Sequence, residues 1–215
     1  MRKSIKDVVR IAAEILPFAE PIYEFGSLQV EGQEGFADLR PFFAGREFVG
    51  CDMRPGLGVD RVLDLHAIDL PDASVGSAIS LDTLEHVEYP HRAVTELHRV
   101  LRPGGLLLIS SVMNFHIHDH PHDYWRFTPD AFRSLLKPFT QAIVESAGRE
   151  VFPHTVVGLG CKDGTIPPAT AAAFEAALKD WKRRWWNPKG SSWETAVMLL
   201  TPPLLIDLYR KLKRA

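Results

Sequence analysis

Near the N-terminus apolar residues recur at helical spacing, at Ile5, Val8, Val9, Ala12, Ile15 and Leu16, and Pro17 closes the segment. Ser4 followed by Asp7 resembles a capping box at its start, with Asp in place of the usual Glu. The pattern then changes to short continuous apolar runs bounded by Gly, Pro and Asp. These predict strands at 21–25, 47–52, 61–65, 77–81 and 106–110, the last launched from the turn Pro103-Gly104-Gly105. Between the fourth and fifth strands, Ala93, Val94, Leu97, Val100 and Leu101 form the inner stripe of a helix over about 91–101. Thr128-Pro129 opens another helix, with a capping hydroxyl and a proline at the first helical position. Two more strands are expected at 141–146 and 151–157.

Apolar strands that alternate with helices favour an α/β fold: a doubly wound, mostly parallel sheet covered on both faces. Residues 1–160 read as this domain with its N-terminal helix. From about Cys161 the chain changes character. Ala-rich 169–178, then Trp181, Trp185 and Trp186, predict a helix whose tryptophans pack on the core or on a partner. A loop over 187–190 follows, and Ser191 with Glu194 caps a last helix. Residues 161–215 therefore read as a C-terminal helical extension on the same domain.

Composition narrows the function. A hydrophobic share of 46% beside 24% charged residues suffices to bury a core. A formal net charge of -2 gives no overall field that would draw the chain to nucleic acid. The basic clusters Lys182-Arg183-Arg184 and Arg210 to Arg214 read as solvated helix faces. Two cysteines, Cys51 and Cys161, are too few for a disulfide framework and too far apart for a zinc or redox pair. With no secretory pattern at the start and an apolar run over 196–206 broken by Pro202-Pro203, a cytoplasmic location is expected.

In doubly wound sheets, ligands bind beyond the carboxyl ends of the strands, where strand order reverses. The strands here end in Glu24-Phe25-Gly26-Ser27, Asp52, Asp64-Leu65 and Leu81-Asp82. Four in succession deliver a carboxylate. Asp52 follows Gly26 by about 26 residues, close to the ~20-residue offset at which an acid takes ribose hydroxyls in dinucleotide folds. An oxidoreductase is disfavoured, because no second glycine follows Gly26 at the required spacing.

Several pieces in order carry a family resemblance: Asp64-Leu65, Leu70-Pro71-Asp72-Ala73-Ser74, Leu84-Glu85-His86-Val87, and Glu96-Leu97-His98-Arg99-Val100-Leu101-Arg102-Pro103-Gly104-Gly105. They resemble the class I S-adenosylmethionine-dependent methyltransferases, in the ubiquinone/menaquinone methyltransferase-like subgroup with its methyltransferase type 11 domain. The resemblance spans about 23–146 and implies a seven-stranded sheet, S-adenosylmethionine as cofactor, and methyl transfer to a small-molecule or glycan acceptor, at oxygen or nitrogen. It implies that Glu24 and Gly26 line the methionine end and that Asp52 holds the ribose diol with Met53 against the adenine. Asp64 accepts from the adenine amino group, the Leu65 backbone meets the ring, and Leu81 and Asp82 floor the site near the sulfonium. One departure stands out: Leu28 and Val30 occupy positions where the family has glycines, so Ser27 or Gln29 is expected to contribute ligands on a different loop path.

Past the fifth strand the chain reads Asn114-Phe115-His116-Ile117-His118-Asp119-His120-Pro121-His122-Asp123-Tyr124-Trp125-Arg126. The stretch from His122 to Pro129 is similar to one found in methyltransferases of sugar and glycan pathways. Three roles compete. The histidines could ligate a metal, but Pro121 breaks any strand that would align them and no cysteine joins them, so none is expected. His122, Asp123 or Tyr124 could serve catalysis, with one histidine or Asp123 as general base. Alternatively, Asp123 pairs with Arg126 while Tyr124 and Trp125 pack a lid that excludes water. His86, His118, Trp125 and Arg126 are the expected substrate contacts. The last helix, with Leu204, Leu205, Leu208 and Leu212 beside basic residues, suits ordinary packing, homodimer formation or a peripheral membrane contact. A degenerate fold serving as a binding or regulatory subunit is the non-enzymatic alternative.

Overall fold

Seven strands lie side by side in the order β3-β2-β1-β4-β5-β7-β6. They are β1 (Ile22–Phe25), β2 (Phe48–Asp52), β3 (Arg61–Val62), β4 (Val75–Leu81), β5 (Leu101–Val112), β6 (Gln141–Arg149) and β7 (Phe152–Cys161). The structure is a computed structural model that describes residues 1–32, 34–118 and 121–186. β1 pairs in parallel with both β2 and β4, so strand order reverses between them. Only β7 runs against the rest, between β5 and β6. Its short connection to β6 dictates that, because a parallel pair needs a long crossover.

Side chains alternate across the sheet and feed two cores. Helices α2 (Pro90–Val100) and α3 (Pro129–Leu135) cover one face, where Ala93, Val94, Leu97, Phe132 and Leu135 meet Tyr23, Phe25, Leu107 and Ile109. On the opposite face, α1 (Lys3–Ile15) and α4 (Pro168–Arg184) place Ile5, Val8, Phe174 and Trp181 over Ile22, Ile79, Leu106 and Leu108. β4 lies at the centre of the sheet and is buried along its whole length. At the start of α3, the Thr128 hydroxyl accepts from the Ala131 amide at 3.1 Å, as expected for a cap.

The expected capping box is not formed. Helix α1 starts at Lys3 with Arg2 at the cap and no side-chain cap bond. Ser4 is buried inside the first turn, and its carbonyl accepts from Trp181 Nε1 at 2.8 Å. Asp7 accepts instead from Trp185 Nε1 at 2.8 Å. Docking of α4 thus claims both groups. The third strand is also shorter than expected, ending at Val62. Asp64 sits in a turn, where its carboxylate takes the His66 amide at 2.8 Å. β5 starts early: Leu101 pairs with Val75, and the register then jumps to Ser77 with Leu106, so Pro103 to Gly105 form a bulge. β6 and β7 both run further than their apolar cores suggested. The expected last helix at Ser191 and Glu194 lies outside the described residues. Among the described residues no helix is long and apolar enough to cross a membrane.

Candidate functional site

The carboxyl ends of β1, β2 and β4 open into one cavity of about 490 Å³, inside the range of roughly 300–1,000 Å³ typical of small-molecule sites. It lies at the reversal of strand order. Glu24, Gly26, Ser27, Asp52, Met53, Asp64, Leu65, Leu81 and Asp82 all line it.

At one end the first loop leaves β1 through Gly26, whose φ of +95° is open to glycine. A Cβ there would fall 2.1 Å from Thr83 Oγ1. The amides of Gly26 and Ser27 both donate to the Cys51 carbonyl, at 2.8 and 3.0 Å, and this turns the loop along the tip of β2. Bulky Leu28 finds room because glycines of the loop after β2 lie against the first loop. A Cβ on Gly56 would meet Leu28 Cδ1 at 2.4 Å, and one on Gly58 would meet the Ser27 carbonyl at 2.5 Å. The close approach that the first loop lacks in sequence is thus supplied by the loop after β2. Asp52 is steadied by accepting from the Arg54 amide at 3.0 Å, while Met53 stands exposed beside it.

The other end is buried and crowded with acids. Glu24 is 6% exposed, and burial pushes its carboxyl up to about 8. Asp82 has a φ of +48°. It receives Arg2 in two hydrogen bonds of 2.6 and 3.0 Å and the Ser110 hydroxyl at 3.1 Å. Burial opposes its ionisation, but the Arg2 guanidinium outweighs burial and holds the carboxyl below its ordinary value. Glu85 is fully buried, and its Oε2 accepts from Ser111 Oγ at 2.6 Å. Burial and then the neighbouring Asp82 raise its carboxyl.

The histidine-rich loop closes over this end. Tyr124 and Trp125 amides donate to the Glu85 carbonyl at 2.8 and 3.2 Å, and Trp125 Nε1 donates to the Glu88 carbonyl at 3.1 Å. Arg126 grips Asp123 with bonds of 2.5 and 2.7 Å and reaches the Phe115 and His116 carbonyls. Asp123 also accepts the His118 amide at 2.9 Å. Arg126 therefore keeps the Asp123 carboxyl well below the usual carboxylate range. His86, His118, His122 and Tyr124 line the cavity; Asp123, Trp125 and Arg126 do not. Those three hold the loop in place.

Arg2, Glu85 and Phe115 are among the lining residues that the sequence did not suggest. Glu85 stood inside a quoted motif next to His86, a signal that could have found it. Arg2 had none, since only the packing of α1 across the sheet brings it there.

Residues 43–109 match the methyltransferase domain family model. A Mycolicibacterium smegmatis protein named "Probable S-adenosylmethionine-dependent methyltransferase" is 34% identical over 88 residues, which cover 41% of this chain and 34% of that protein. The matched stretch thus spans about a third of the curated relative. Among solved structures, a chain of the complex between the Haloferax volcanii Trm112 methyltransferase activator and a methyltransferase superposes with a TM-score of 0.57 at 17% identity. The match covers 74% of this chain and 90% of that one. A Burkholderia thailandensis N1-methyltransferase, solved with 1,6-didemethyltoxoflavin and S-adenosylhomocysteine, gives 0.55 at 16% identity and covers 75% and 78%. Residues 43–109 thus resemble a methyltransferase domain, and the chain shares the fold of these solved methyltransferases.

Proposed function

We propose that the protein transfers a methyl group from S-adenosylmethionine to an oxygen or nitrogen of a small-molecule or glycan acceptor. The observation that supports this most is the convergence of Gly26, Asp52, Asp64 and Asp82 with the histidine-rich loop on one cavity. The residues present suit the cofactor. Gly26 borders the cavity at the tip of β1, and Ser27 Oγ on the cavity wall is buried without a partner among the described residues.

When bound, the cofactor supplies an electrophilic methyl group on a sulfonium. In this reading Asp52 binds the ribose diol under Met53, and Asp64 with the Leu65 backbone takes the adenine. Glu24, Gly26 and Ser27 hold the methionine end, and Leu81 and Asp82 form the floor. His122 takes the acceptor's proton, with Tyr124 beside it as a further catalytic residue, while Asp123 keeps the loop in register through Arg126. His86 and His118 face the acceptor, with Trp125 and Arg126 supporting them from behind. Methyl transfer depends chiefly on alignment, so a rigidly pinned loop is worth more here than a strong base. The ordered motifs over 64–105 support placement in the ubiquinone/menaquinone-like subgroup.

Calorimetric titration with S-adenosylmethionine, its demethylated product and NADH tests the reading: the two sulfur compounds bind and NADH does not. Absence of binding by either sulfur compound at millimolar levels overturns it. Tyr124→Phe should lower turnover more than cofactor affinity. One observation favours a second reading, a binding or regulatory subunit: Leu28 and Val30 both line the cavity. Cofactor binding with no labelled methyl transfer to any sugar, amine or phenol acceptor would favour it.

A further inference from the structure

Glu85, His86 and His118 come from two separate segments, yet one ligand atom of each lies within 4.8 Å of the other two. Two imidazoles and a carboxylate form a donor set suited to a borderline divalent ion such as zinc. The surroundings of each donor orient it for that task. His86 Nδ1 lies 2.5 Å from the His122 carbonyl. His118 Nδ1 lies 3.1 Å from Asp123 Oδ2 and 3.2 Å from the His116 carbonyl. These acceptors favour the tautomer with the proton on Nδ1 in both rings. A carboxylate behind a histidine, as Asp123 stands behind His118, is the usual outer support of a metal-binding imidazole. The carboxylate contributes likewise: Ser111 occupies Glu85 Oε2, whereas Glu85 Oε1 is buried with no hydrogen-bond partner among the described residues. Such an orphaned oxygen calls for a ligand. The neighbouring acid Asp82 is committed to Arg2.

We propose that Glu85, His86 and His118 bind a divalent transition-metal ion, zinc or a chemically similar ion, at the acceptor end of the cavity. The sequence pointed away from a metal because it offered only histidines of one loop, broken by Pro121. The fold instead pairs one loop histidine with two residues of the 84–86 turn. Three protein ligands leave a coordination position open. An acceptor hydroxyl bound there passes its proton to His122 and keeps its lone pair on oxygen under the metal's charge. This role rests on the methyl-transfer reading; the metal site does not.

The test uses the full chain without an affinity tag, stripped of metal by a chelator and titrated with Co²⁺ and Zn²⁺. One equivalent of Co²⁺ should bind with a visible ligand-field absorption band, which Zn²⁺ displaces. Glu85→Gln and His118→Ala should each weaken Co²⁺ binding tenfold or more, and Asp123→Asn about tenfold through His118. His91→Ala, on the exposed side of α2, should change nothing. No binding below millimolar metal, or variants that match the parent, overturns the proposal. Calorimetry with S-adenosylmethionine on the same samples separates the two claims. Cofactor binding without metal binding sinks the metal site alone. Metal binding without cofactor binding sustains it and sinks the methyl-transfer reading.

Discussion

The two ends of the cavity are built on opposite principles. Past β2 and β3, the Asp52 and Asp64 carboxylates are held, among the described residues, by neighbours two residues away: Arg54 and His66, through both amide and side chain. At the β4 tip, Asp82 and Glu85 are held across the fold, by Arg2 and by Ser110 and Ser111 of β5. The first end is a local device that a short stretch of chain can make alone. The second exists only when α1, β4 and β5 have come together. Changes at the first end should therefore read out as binding, and changes at the second as stability and turnover.

The largest effect expected is at the second end. Asp82→Ala leaves the largely buried Arg2 guanidinium unpaired and should lower unfolding free energy by about 3 kcal/mol in chemical denaturation. A loss below 1 kcal/mol would show that Arg2 simply swings to solvent. Next, Gly58→Ala forces a side chain onto a φ of +88° against the Ser27 carbonyl. It should cost about 1–2 kcal/mol of stability and displace the first loop, weakening cofactor binding in calorimetry. Unchanged affinity would separate the two facing loops.

Asp52→Ala should act on binding alone. Loss of charged hydrogen bonds to a diol is worth about 1.5 kcal/mol or more, so affinity should fall roughly tenfold, with Tm nearly unmoved. A large fall in Tm would mean that this end is not the local device described. A pH dependence is expected from Glu24. Its carboxyl titrates near 4.5 in the unfolded chain and about 8 when folded. The folded state thus holds the extra proton, and stability should decline as pH rises from about 4.5 to about 8. A cationic methionine end favours the ionised form, so cofactor affinity should rise with pH up to about 8. Glu24→Gln should flatten both slopes; slopes that persist would assign them elsewhere.

Much of this was legible in the chain. The strand tips carry their acids in sequence, and all nine expected cofactor-side residues border the cavity. The path of the first loop was not legible. Leu28 looks obstructive until Gly56 is seen facing it, with Gly58 against Ser27 and Gln29, and that is a contact between two loops. The same limit applies to Ser4 and Asp7, whose spacing spelled a cap: the helix starts before Ser4, and Asp7 is claimed by Trp185. Local hydrogen bonds yield when a buried indole requires an acceptor.

By itself the sequence determined the alternation of strands and helices, the two apolar faces and the acids at the strand ends, because these follow from periodicity and from turns a few residues long. Tertiary structure alone decided that Arg2 crosses the sheet to Asp82 and that His118 meets Glu85 and His86. No spacing rule links residues that far apart; they meet only where packed elements converge.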